Sequence, residues 1–200
     1  MSEDIKQILK NLIASHCDRI NTTMPGTIVS YDPATRRAEV QLSLSKTSPD
    51  AEIIKAPRVV DVPVVFPSVG PVGITWPLHS GDGVMLHFCQ RSLENWKDAG
   101  SDIVDNFRQT HITDAIAVPG LAHSQATSPA HPDNMVIAFG SASVEFTSSG
   151  SLILNAPGGL TINGAVSGDQ DAVFNGISVK THAHSGVQPG SGRSGPPSAS

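Results

Sequence analysis

The residues best suited to chemistry are His182 and His184, separated by Ala183. In an extended strand, residues i and i+2 project to the same side, so the pair presents two imidazoles together. One chain offers too few nitrogens for a tight metal site. Around a threefold axis the two histidines become six. Six imidazoles suit an octahedral first-row ion such as Fe or Ni better than zinc, which takes four ligands in a tetrahedron. The residues after the pair are almost all Gly, Ser and Pro, so they have no core of their own and fit tight loops. A metal there would hold strands together where apolar packing has no room. Two histidines at this spacing also occur as solvated polar residues, so the pattern gains its meaning from what precedes it.

The other histidines, His16, His79, His87, His111, His123 and His131, do not cluster in sequence and read as surface or packed residues. No G-x-S-x-G, H-E-x-x-H, P-loop or G-x-G-x-x-G pattern follows a strand. Asp61, Asp82, Asp102, Asp105 and Asp114 are scattered, and no carboxylate pair stands out. Trp76 and Trp96 read as core or interface aromatics. Cys17 and Cys89 read as unpaired thiols, buried or without special role. The reading is therefore a protein without catalytic turnover.

Composition narrows the class. Charged residues make up 16% of the chain, below the roughly 25% of ordinary globular domains. The 18 glycines and 15 prolines favour short strands and turns over long helices. A net charge of −5 with no basic stripe argues against nucleic acid as a partner. No apolar run approaches the roughly 20 residues of a transmembrane helix. Glu3, Asp4, Lys6 and Lys10 interrupt the first apolar residues, which speaks against a secretory signal and for assembly in a cytoplasm.

The elements that must position the histidine pair follow from periodicity. Ile5, Ile8, Leu9, Leu12 and Ile13 fall on one stripe of an amphipathic helix over residues 3–20, with Ser2 as N-cap. That stripe suits packing on its own domain or against copies around an axis. Thr27–Tyr31 and Arg37–Leu44 form a hairpin across Asp32-Pro33-Ala34-Thr35, with Ala38, Val40, Leu42 and Leu44 on one face. Val59–Phe66, Gly73–Trp76 and Val84–Phe88 add strands, Gly81-Asp82-Gly83 a turn, and Ser92–Lys97 a helical turn. Prolines punctuate them, as at edges and loops. The pattern is a small all-β barrel near residues 21–120.

Residues 122–134 are polar and turn-rich and read as a linker. Beyond them, Val144/Phe146, Leu152/Leu154 and Leu160/Ile162 are apolar pairs at i and i+2, spaced eight residues apart. Strand-like pairing resumes at Val173 and at Ile177/Val179. A short repeat of period-two pairs marks a wound β structure. One chain has too thin an apolar face to bury a core, and its open edges invite aggregation. Three chains about one axis would cure both faults.

Several ordered blocks carry a family resemblance. They are Met24-Pro25-Gly26-Thr27-Ile28-Val29, Asp61–Pro67, Thr75-Trp76-Pro77-Leu78, Gly81–Val84, Arg91–Trp96 and His111–Gly120. Together they resemble the N-terminal domain of membrane-puncturing spike proteins of contractile-tailed phages. His182-x-His184 with its Gly- and Pro-rich sequel is similar to the tip of the same spikes. The resemblance implies an all-β chain in five parts: an N-terminal helix (1–20), an oligosaccharide/oligonucleotide-binding (OB) barrel (21–121), a linker (122–134), an intertwined trimeric β-helix (135–180) and an apex (181–200). It further implies a homotrimer with one Fe ion, held by His182 and His184 of three chains, and a baseplate hub protein as partner of the barrel. The implied role is a virion part at the distal tip of the tail baseplate that meets the host outer membrane transiently and binds no nucleic acid. A trimeric receptor-binding tail fibre is the alternative, and a tail-associated hydrolase a further one. No aromatic follows Phe174 to serve a fibre, and a filled six-nitrogen site has no open position for hydrolysis.

Overall fold

The computed structural model describes residues 3–48, 50–121, 130–183, 186 and 190. The N-cap expected at Ser2, most of the expected linker, His123 and His184 lie outside the described residues. The chain divides into two compact units, residues 1–129 and 130–200.

The first unit opens with helix α1 (Glu3–Cys17), three residues shorter than its periodicity suggested. Its stripe of Ile5, Ile8, Leu9, Leu12 and Ile13 is exposed, so the helix does not bury that face on its own domain. Nine strands follow: β1 (Thr23–Asp32), β2 (Arg37–Leu42), β3 (Lys46–Thr47), β4 (Ile53–Ile54), β5 (Arg58–Pro63), β6 (Ser68–Val69), β7 (Val72–Gly73), β8 (Gly83–Phe88) and β9 (Ala115–Pro119). Helix α2 (Glu94–Ala99) lies between the last two. Five strands form one sheet in the order β5-β2-β1-β8-β9. A parallel bridge from Val64 to Ala117, with Val65 N–H donating to Ala117 O at 2.9 Å, draws the two edges together. The sheet therefore curls round its own inner face.

That inner face is the core. Ala38, Val40 and Leu42 point inward from β2 as the alternation required, whereas Leu44 lies past the strand end and is exposed. Val84, Leu86 and Phe88 do the same from β8, and Ala115 and Ala117 from β9. Gly26 sits on β1 between β2 and β8, where a Cβ would fall 2.7 Å from Val40 and 2.7 Å from Leu86 side-chain carbons. The missing side chain is what lets the three strands close over those residues. In β5 the inward residues are Val59, Val62 and then Val64 and Phe66, so the alternation slips by one. The register shift between Ala38 and Val40 on β2 marks a bulge, and Asp61 takes up the extra length at φ 54°. Lys97 on α2 fixes this bulge, its Nζ lying 2.7 Å from Asp61 Oδ2.

The second unit contains β10 (Met135–Phe139), β11 (Ala142–Phe146) and β12 (Leu152–Asn155) in an antiparallel meander, then a two-stranded hairpin, β13 (Val173–Phe174) and β14 (Ile177–Ser178). Register places Val144 opposite Leu154 and Phe146 opposite Leu152. The eight-residue spacing thus appears, within one chain, as a hairpin with a five-residue connection. The pair Leu160/Ile162 joins no strand of the single chain. Asn175 (φ 49°) and Gly176 (φ 81°) turn the last hairpin, the two positive φ values that a tight I′ connection requires.

Candidate functional site

Two features of the second unit bear on function: the surface of its meander and the approach to His182. Cross-strand partners lie on the same face of a sheet. The pairs Met135–Phe146, Ile137–Val144, Phe139–Ala142, Val144–Leu154 and Phe146–Leu152 therefore collect eight apolar side chains on one face. The opposite face carries Ser143, Glu145 and Asn155 among its residues. There Asn134 bonds Glu145, and Asn155 Nδ2 donates to Ser143 Oγ at 3.0 Å. Among the described residues of the unit none buries the apolar face: Phe139 is 71% exposed and Leu152 56%, and no described residue of 130–200 is buried.

The chain reaches His182 through a turn that follows β14. His182 N–H donates to Ser178 O at 3.2 Å. Its ring Nδ1 lies 2.9 Å from the same carbonyl and 3.2 Å from Val179 O. A carbonyl oxygen only accepts, so Nδ1 is the donor in this contact. Such a bond from one ring nitrogen to backbone carbonyl is the usual support for an imidazole that ligates through the other. The donor set fits a metal ligand on this count.

The turn itself is anchored by Asp171. Its Oδ1 accepts from Lys180 N–H at 2.9 Å, and its carboxylate takes a hydrogen bond from the Ser178 hydroxyl. The Ser178 bond first, and the Lys180 bond second, hold the Asp171 carboxyl below the usual carboxylate range. Ser178 Oγ in turn accepts from Thr181 N–H at 2.9 Å and lies 2.7 Å from Thr181 Oγ1. The side-by-side projection expected of His182 and His184 in an extended strand thus begins from a turn at 179–181. Among the described residues of one chain, no three His, Cys, Asp or Glu side chains come together to hold a metal.

The other candidates lie elsewhere. His16, His79, His87, His111 and His131 are exposed and separate; His111 bonds Thr113, and His131 accepts from Asn134 N–H at 2.9 Å. Trp76 stands edge-on to Phe66 at 5.0 Å between ring centres, whereas Trp96 is half exposed. Cys17 is exposed, Cys89 half-buried, and both are free thiols. Among the described residues, no helix is long and apolar enough to cross a membrane.

Three features escaped the sequence reading. The alternation Met135, Ile137, Phe139 continues the apolar pairs upstream and was legible. The Asn175-Gly176 dipeptide is a hairpin signal and was legible too. The third had no signal. Asp114, buried, receives Arg108 Nε at 2.7 Å, Arg108 NH2 at 3.1 Å and Leu93 N–H at 2.9 Å. These bonds tie the loop after α2, and the residue before it, to the start of β9.

With the geometry set out, comparison with known proteins adds two matches. Residues 24–120 match the family described as the phage protein Gp138 N-terminal domain. Residues 176–198 match the GpV apex motif, which takes in both His182 and His184. No curated protein matches the chain.

Proposed function

We propose that this chain, which matches a phage baseplate central spike protein at its N-terminal domain and at its apex, works as the homotrimeric spike of a contractile tail. The observation that carries the reading is the uncovered apolar face of the β10-β11-β12 meander. A three-stranded sheet with eight apolar side chains in water is not stable as a lone unit. Copies of the same chain supply the missing cover, each giving one wall of a shared core. Three chains wound this way form the intertwined β-helix, and Leu160, Ile162 and Val166, exposed in one chain, extend its lining.

The barrel reads as an OB fold. In support, its five main strands pair in the OB order, and the parallel bridge at Val64 and Ala117 lies where that fold closes. Its partner is the baseplate hub. At the other end, His182 and His184 of three chains hold one Fe ion, which serves as a crosslink at a point too narrow for apolar packing. The spike is placed at the distal tip of the virion tail, where sheath contraction drives it through the host outer membrane.

Solution mass and elemental analysis test this together. The expected result is a trimer with one iron per three chains. A monomer without metal overturns the reading. Replacing both His182 and His184 by Ala should remove the iron and leave the trimer assembled, because the apolar core lies upstream.

A further inference from the structure

Among the described residues, helix α1 packs against no other helix or strand. Residues 4–20 are all exposed, and the stripe of Ile5, Ile8, Leu9, Leu12 and Ile13 is between 46% and 65% exposed. The opposite face is polar, with Gln7 Nε2 donating to Asn11 Oδ1 at 2.9 Å. A helix of 15 residues is marginal in water, so its stability comes from whatever covers the stripe. The helix also leaves the barrel from a fixed point. Asn21 Nδ2 donates to Thr110 O at 2.7 Å, and Phe88 N–H donates to Thr22 O at 3.0 Å. Between that anchor and the helix, Arg19 N–H donates to His16 O and Ile20 N–H to Cys17 O, each at 3.1 Å, which leaves little slack.

We infer that the stripe of α1 is covered by α1 of the two other copies, as a parallel three-helix seam at the N-terminal end of the assembly. The inference rests on the threefold assembly proposed above. The residue pattern selects this occupant. Spacings of four and three place Ile5 and Leu12 at heptad position d and Leu9 at position a. Leucine at a with isoleucine at d favours three or four helices over two. Ile8 and Ile13 then fall at the flanking positions g and e. At 3.6 residues per turn the five side chains span roughly 140° of the helix surface, wider than the a/d seam of a helix pair. A helix with two neighbours can cover a stripe of that width. Cyclic symmetry runs the three helices in one sense, as parallel a/d packing requires, and their fixed exits from three barrels give them one register. At 15 residues the seam is too short to hold the trimer alone, so assembly stays with the second unit and the seam follows from it.

The test uses the full chain, with Cys17 and Cys89 replaced by Ser so that one introduced thiol reports. Leu9→Cys and Ile5→Cys lie on the stripe, and Gln7→Cys lies on the polar face. Treated with a short thiol crosslinker, the trimer should give covalent pairs of chains at either stripe position and none at Gln7→Cys. Adding Leu12→Asp to Leu9→Cys should abolish the pairs while solution mass still reports a trimer. A trimer without pairs at both stripe positions overturns the inference and leaves the spike reading standing. A maleimide label then tells the other occupants apart: a shielded thiol means cover by the same chain, a reactive one a face kept for a different protein. Equal pairing at Gln7→Cys means chance collision and also overturns the inference. A monomer by mass defeats the threefold assembly itself, and the seam with it.

Discussion

The two units of this chain use the same pattern of alternating apolar residues and reach opposite outcomes. In the first, Ala38, Val40 and Leu42 on β2 are at most 2% exposed. In the second, Leu152 and Leu154 on β12, equally apolar and equally spaced, are each about half exposed. The difference is closure. Five strands, drawn together by the Val64–Ala117 bridge, curl far enough for one face to cover itself. All thirteen buried apolar side chains among the described residues lie in that unit. Three strands in a meander cannot curl so far, and their apolar face stays open in the single chain. The first unit thus has a core of its own, whereas the second, on the function proposed above, takes its core from copies of the chain.

The sharpest way to break that contrast is a charge on the open face. Leu154→Asp should abolish the trimer, read by solution mass, while the melting transition of the first unit stays in place. Loss of both together would mean that the barrel also depends on assembly. The next effect concerns the barrel's own polar anchor. Asp114→Ala leaves the Arg108 guanidinium without its buried partner and should cost about 3 kcal/mol in denaturant unfolding of the first unit, with the trimer retained. The same pair gives a pH signature. Burial opposes ionisation of Asp114, but Arg108 and the Leu93 N–H outweigh it and hold the carboxyl below its ordinary value. The stabilisation is then complete above the ordinary carboxylate range near about pH 4, and is lost as pH falls through the lower folded value. Acid should therefore weaken the first unit in wild type and flatten this dependence in Asp114→Ala. The smallest effect is steric. Gly26→Ala pushes a methyl group against Val40 and Leu86 and should destabilise the barrel by about 2 kcal/mol, leaving assembly unchanged.

Much of this was legible in the residues. The first hairpin followed from Asp32-Pro33-Ala34-Thr35 and the alternation after Arg37, because local turn chemistry and a half-buried strand both act over a few residues. Asp32 does cap that turn, its Oδ1 accepting from Ala34 N–H at 3.0 Å. The helix was legible for the same reason. What its stripe meets was not, since periodicity records an apolar face but not its partner. The slip in β5 was hidden because Val59, Val60 and Val62 look equally apolar, and only the bulge at Asp61 decides which turn inward.

By itself the sequence determined the elements that local forces dictate: the helix, most of the strands, the turns, and the placing of two histidines beyond a β-rich segment. Tertiary structure decided which faces became core, because burial depends on strands brought together from distant parts of the chain. It also decided that Asp114 and Arg108, six residues apart and unremarkable in sequence, form a buried pair. And it showed His182 approached through a turn held by Asp171, a contact that exists only because the Asn175-Gly176 hairpin folds one end of the segment back upon the other.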